Sequence, residues 1–274
     1  MLKSAAVEVD RSSSDHAQLA TFHIAGVNVA AIGVTRACEV LKELALGRKP
    51  AYVTVTGAHG IVESAGDQRI RDAHRQASLV VPDGMPLVWL GRLLGCKNIG
   101  RVYGPDLMTA VFARSDFRDL RHFFYGSIPA AVARLKAALT SRFGPFNLVG
   151  AHFPPMRPPG FQEDDEVIAN IKALRPQVIW VGLSTPKQEL WLNQHMPKIG
   201  SGVGVGVGAA FDLISGVTTQ APRWVQRSGF EWLFRLFMEP RRLFKRYAVV
   251  IPKFIYLFLV AVLDNRQGAT LKRR

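Results

Sequence analysis

What most constrains this chain is an alternation. From residue 20 onward, short runs rich in β-branched and aromatic residues take turns with longer amphipathic stretches. Ala51–Val55 reads as a strand, Thr56–Gly60 as a loop, and a helix runs on to about Ala77. Leu79–Val81 is a buried strand ending in Pro82-Asp83-Gly84, and Pro86–Leu94 is helical. Pro105–Arg114 forms a helix with Asp106 in its first turn, where the helix dipole favours an anion. His122–Tyr125 is a strand, Gly126-Ser127 a turn, and Pro129–Arg142 a helix. Asn147–Val149, a Pro-rich loop, helix Asp164–Leu174 and strand Gln177–Val181 continue the pattern. Strands separated by helices of about 10–15 residues imply βαβ units, hence a Rossmann-like layered α/β domain with a mostly parallel sheet. No internal repeat interrupts it.

A composition shift near Ala221-Pro222 divides the chain into an N-terminal stretch (1–20), an α/β core (21–221) and an appendage (222–274). The net charge of +14 is concentrated there: residues 222–274 hold 12 Lys and Arg against Glu231, Glu239 and Asp264. The same segment carries 10 of the 26 aromatic residues. A basic segment that binds nucleic acid need not be greasy, whereas one lying on an anionic membrane has to be. Nucleic acid is therefore not expected as a partner; an anionic membrane surface is. The most apolar run, Phe254–Leu263, is shorter than the roughly 20 residues a helical span needs. It suits an interfacial helix or one packed on the domain. Met1–Gln18 lacks a signal-peptide core, and Cys38 and Cys96 form no disulfide framework, so the chain is expected in the cytoplasm.

In a parallel sheet, ligands collect at the carboxyl ends of strands. Four such ends carry polar or glycine-rich segments: Thr56, Asp83, Gly126-Ser127 and Gly182–Gln188. Asp83 reads either as a general base or as the middle of a Pro-Asp-Gly turn. Thr185 as N-cap, Pro186 as first helical residue and Gln188 three positions on form a capping box. That leaves Lys187, a cation at a helix start, to be explained by a bound diphosphate. Gly204-x-Gly206-x-x-Ala209 matches a dinucleotide fingerprint, so an NAD(P)-dependent oxidoreductase is the alternative reading. However, the glycines fall within a strand, which points instead to close approach of neighbouring groups. No Asp-x-Asp occurs, no His, Asp and Glu have metal-ligand spacing, and Glu163–Glu166 reads as a helix cap. A leaving diphosphate would then be stabilised by Arg235, Arg241, Arg242, Lys245 and Arg246, with Pro240 breaking their helix. On one helical wheel Phe230, Phe234, Phe237 and Phe244 share a side.

These segments together are similar to the WecG/TagA/CpsF glycosyltransferases (glycosyltransferase family 26). The resemblance rests on Thr56, Pro82-Asp83-Gly84, Arg101-Val102-Tyr103-Gly104-Pro105-Asp106 and Gly182-Leu183-Ser184-Thr185-Pro186-Lys187-Gln188-Glu189. It continues through Gly206–Asp212, Ala221-Pro222-Arg223-Trp224, Gly229–Arg235 and Glu239-Pro240-Arg241-Arg242, covering roughly residues 22–255. It implies an inverting, metal-independent transfer of a hexosyl or N-acetylhexosaminyl group from a UDP-sugar to a polyprenyl-diphosphate-linked saccharide in bacterial surface polysaccharide synthesis. It implies no cofactor, and a monotopic protein at the cytoplasmic face of the inner membrane; a homo-oligomer is left open. Asp83 is the implied base, and Arg235 and Arg242 the implied catalytic cations. Thr56, His59, Gly84, Arg101, Gly126, Lys187, Gln188 and Arg246 are the expected substrate-binding residues. One departure stands out: many members have Thr-x-Asn where this chain has Thr56-Gly57-Ala58, and His59 either replaces that amide or is a loop histidine.

Overall fold

The computed structural model of the chain describes residues 19–155 and 158–271, apart from the side chains of Arg227, Arg242 and residues 266–271. The polar N-terminal run of 1–18 lies outside these described residues. The chain begins with a hairpin, β1 (Thr21–Ile24) and β2 (Val27–Ala30), turned by Ala25 and Gly26, both at positive φ. Helix α1 (Val34–Leu46) leads into β3 (Ala51–Thr56), α2 (Ala58–Gly66), α3 (Gln68–Arg75) and β4 (Leu79–Pro82). Then come α4 (Met85–Leu93), α5 (Gly104–Ala113), β5 (His122–Gly126), α6 (Pro129–Phe143) and β6 (Leu148–His152). The core closes with α7 (Asp165–Ala173), β7 (Val178–Gly182), α8 (Lys187–Ile199), β8 (Val203–Gly206) and α9 (Ala210–Ile214). The six strands β3–β8 form one sheet in the order β4-β3-β8-β7-β5-β6, every neighbouring pair parallel. The layered α/β reading holds.

Local departures have local causes. The helix expected through residue 77 is two helices, because Asp67 stays extended and its carboxylate caps Arg69 N at 2.8 Å. Asp165 and Glu166 fill the first turn of α7, as the dipole favours, but Glu163 does not cap it. Its carboxylate is buried and accepts the Tyr125 hydroxyl, while its backbone N–H donates to His195 Nε2 at 3.1 Å. Nor does Thr185 cap α8: Pro186 takes the cap position, and Thr185 Oγ1 donates to Glu189 Oε1 at 2.8 Å.

The glycines of β8 explain themselves by packing. A Cβ at Gly204 would stand 2.4 Å from Leu192 Cδ2, and one at Gly206 would stand 3.0 Å from the Gln188 carboxamide carbon. Their missing side chains let α8 lie directly on the sheet. The dinucleotide reading of Gly204-x-Gly206-x-x-Ala209, and with it the oxidoreductase alternative, finds no support.

After Ala221 come three helices, α10 (Arg223–Ser228), α11 (Glu231–Met238) and α12 (Pro240–Leu271). Pro240 separates α11 from α12, so one helical wheel does not run through both. Phe234 consequently faces a cavity, whereas Phe237 and Phe244 are 77% and 64% exposed. The ten-residue apolar run is part of a longer element, because α12 continues through Pro252. Its segment Leu243–Asn265 is long and apolar enough to cross a membrane by length and composition. Here it lies along the body instead: Val250, Phe254 and Ala261 share a buried cluster with Phe22 and Ile24 of β1 and Leu87 and Leu90 of α4.

Candidate active site

Four adjacent strands, β4, β3, β8 and β7, end at one mouth. Beyond them lies a cavity of about 1120 Å³, walled on the open side by α11 and α12. The strand ends supply Asp83, Gly57, Gly208 and Ser184. The C-terminal helices supply Glu231, Trp232, Phe234, Arg235, Arg246 and Tyr247. Asp83 follows β4 directly, and its backbone N–H is tied to Thr56 O at 2.8 Å. Gly84 follows at φ +92, a conformation that favours glycine, and turns the chain into α4. The turn reading of Pro-Asp-Gly holds, and the turn leaves Asp83 in the cavity wall.

Burial pushes the Asp83 carboxyl up to about 7. The neighbouring Arg101 and Arg235 pull it down, and Glu231 and Asp106 push it up. Arg101 donates through Nη2 to Glu231 Oε2 at 2.6 Å and through Nη1 to Gln226 O at 2.9 Å, with its guanidinium 4.1 Å from the Tyr103 ring centroid. The Nε atoms of Arg101 and Arg246 are buried without a partner. Unsatisfied guanidinium donors in a cavity favour an anion with several acceptor oxygens, such as a phosphate.

Gln188 lines the same cavity, but its side chain is engaged: Oε1 accepts Gly208 N at 2.8 Å and Nε2 donates to Glu189 Oε1 at 3.1 Å. His59 lines it too, in the first turn of α2, with Nε2 3.1 Å from Glu63 Oε1. Burial, then the charge of Arg246, holds the His59 imidazole below its ordinary value. Ala58, in the place of the expected amide, is also part of the wall.

The structure thus brings together Asp83, Gly84, His59, Arg101, Gln188, Arg235 and Arg246. Thr56, Gly126 and Lys187 stand outside the wall. Thr56 Oγ1 is buried 2.7 Å from His74 Nε2, on the side of β3 away from the cavity-lining Val55. Gly126 serves strand packing: a Cβ there would lie 2.8 Å from Gly182 O. Lys187 begins α8 without reaching the cavity. The Arg242 side chain lies outside the described residues. Sequence reasoning missed Glu231 and Gln226 as cavity residues, and no local signal in the sequence sets Glu231 apart from Glu239. Among the described residues, no group of three or more His, Cys, Asp or Glu is placed to hold a metal ion.

A carboxylate at a strand end of a parallel sheet, facing arginines of the C-terminal helices across one cavity, has the layout of an enzyme site. The model of the glycosyl transferase WecG/TagA/CpsF family matches residues 22–268, and the chain belongs to that family. Among curated proteins it is similar to three named N-acetylglucosaminyldiphosphoundecaprenol N-acetyl-beta-D-mannosaminyltransferase. The Bacillus spizizenii protein is 27% identical over 222 residues, covering 81% of this chain and 82% of its own. The Bacillus subtilis protein is 26% identical, covering 69% and 71%, and one from Staphylococcus aureus is 28% identical, covering 66% and 68%.

Proposed function

We propose that this glycosyltransferase moves a sugar from a UDP-sugar onto a polyprenyl-diphosphate-linked saccharide, with inversion and without a metal. The observation that carries the reading is Asp83 in one cavity with Arg235 and Arg246. Asp83 takes the proton from the acceptor hydroxyl, whose oxygen attacks the anomeric carbon. The bond from that carbon to the UDP oxygen breaks, and UDP leaves with the electron pair. A base whose pKa lies near the working pH combines the right protonation state with useful basicity. Arg235 and Arg246, with Arg242 as a further candidate, neutralise the leaving diphosphate in the role a metal would otherwise fill. His59 contacts the donor where Ala58 offers no amide, and Gln188 shapes the pocket floor. Thr56 and Gly126 act on substrate indirectly, by supporting the strand ends. The relatives' names motivate the lipid-linked acceptor. The exposed apolar and basic faces of α11 and α12 support a monotopic seat on the cytoplasmic membrane surface.

A panel of UDP-sugars with a polyprenyl-diphosphate-linked acceptor tests this directly. One donor is expected to release UDP and yield an inverted linkage, with turnover unchanged by EDTA. No UDP release from any donor would overturn the reading.

Gly57 gives a sharper geometric test. A Cβ there would stand 2.8 Å from Asp83 O and 3.8 Å from its Oδ2. Gly57→Ala must therefore displace the Asp83 turn by a fraction of an ångström or more. Turnover is expected to fall by about 10²-fold, the scale of small misplacements at a reacting centre. Circular dichroism should stay that of the parent; wild-type turnover would mean that Asp83 need not sit where it does.

A further inference from the structure

Arg101 is a core residue whose side chain reaches both α10 and α11. Its two Nη atoms reach one helix each, Gln226 O on α10 at 2.9 Å and Glu231 on α11 at 2.6 Å. The Arg101 and Glu231 side chains are only 12% and 16% exposed. A second pair between the same parts, Arg223 with Asp106 at 3.7 Å, is largely solvated and contributes little. Glu231 also stands one helical turn before Arg235, on the same face of α11, and both line the cavity. Docking the first side chain on the core therefore sets where the second arrives.

We infer that Glu231 is a positioning residue: by latching onto Arg101 it holds α11 across the cavity mouth and delivers Arg235 to Asp83. The chemistry of this step rests on the transfer proposed above, but the latch itself does not. In this arrangement the two Nη atoms of Arg101 fasten the closing segment, and the leaving group is met by Arg235 and Arg246. Glu231 is charged and mostly withdrawn from water, so removing its charge strands the Arg101 cation against Tyr103.

Two measurements on the full chain test it. Glu231→Gln, which is isosteric, is expected to speed hydrogen exchange of the α11 amides about tenfold or more, the scale of a lost charge-assisted hydrogen bond. Arg235→Ala, expected to cost about 10²-fold in turnover on its own, should cost less than about threefold in the Glu231→Gln background. A residue that only stabilised the fold would leave the Arg235 effect intact in both backgrounds. Unchanged α11 exchange overturns the latch, and an undiminished Arg235 effect overturns the positioning role. If the unmodified chain transfers no sugar at all, the proposed reaction fails, and the exchange comparison alone still decides the latch.

Discussion

Asp83→Asn is expected to lower turnover by about 10²–10⁴-fold, the usual contribution of a positioned general base. The same substitution should make the protein more stable at pH 8. The folded chain holds the Asp83 proton to about pH 7, against an ordinary carboxyl value of 3.8. Between those values the folded state binds more protons than the unfolded one. Stability is therefore fully present below about pH 4 and is lost as pH rises through 7. An amide does not titrate and escapes that loss. Because Asp83 lines an open cavity rather than a sealed core, the gain is on the order of 1–2 kcal/mol, read as a higher Tm at pH 8 than at pH 5 relative to the parent. For the parent enzyme, kcat/KM should rise tenfold per pH unit on the acid side and level off near pH 7, since only the carboxylate accepts the proton. A flat profile from pH 5.5 to 8, or an active Asp83→Asn variant that is no more stable, would remove Asp83 from the role of base.

That the sequence placed Asp83 at the cavity, while Thr56 lies behind its wall, has one physical cause. A strand that ends in a turn announces its last residue by composition, and Pro82-Asp83-Gly84 did so. Which side a strand residue faces is announced by alternation, and β3 is buried at all six positions. Val53-Thr54-Val55-Thr56 does alternate, but with both faces buried the alternation does not say which one opens onto the cavity, so nothing local placed Val55 there and Thr56 against His74. The capping box failed for a related reason. Thr185 and Gln188 have the right spacing, but Gln188 bonds Gly208 N, 20 residues on. Long-range partners outrank local patterns, and a single sequence does not display them. The Arg101–Glu231 pair, 130 residues apart, is another case.

The C-terminal helix was misjudged in length through a different route. The apolar run starts just after Pro252 and Lys253, yet a proline removes one backbone donor without shifting the phase of the side chains. Val250, Phe254 and Ala261 continue on the packed side across it. What the sequence did convey was that cations and aromatics occupy the same segment, which bulk charge could not say. Packing consumes only one side of α12. The opposite side still presents Val249, Tyr256 and Leu263, seven residues apart and 52%, 67% and 56% exposed, beside Lys245 and Lys253. A helix that is apolar on both sides calls for a second apolar surrounding, and the domain supplies only the first.

Replacing those three residues together with Asp (Val249→Asp, Tyr256→Asp, Leu263→Asp) is expected to abolish binding to vesicles containing anionic lipid. Each large apolar side chain moved from water into an apolar phase contributes about 1.5–3 kcal/mol, so losing three should lower partitioning by at least about 10³-fold. New carboxylates beside an anionic surface add repulsion to that loss. None of the three lines the cavity or belongs to the buried cluster, so the fold and the Asp83 site should persist. Turnover should consequently divide by acceptor: retained with a short-chain, water-soluble diphosphate acceptor and lost with a long-chain acceptor in vesicles. Raising salt should weaken binding of the parent chain in part, because Lys245 and Lys253 act through a screened field while the apolar contacts do not. Vesicle co-sedimentation of the triple variant at the parent level would show that this face does not meet lipid. Equal loss of turnover on both acceptors would show instead that α12 serves the cavity alone, and that the membrane contact lies elsewhere.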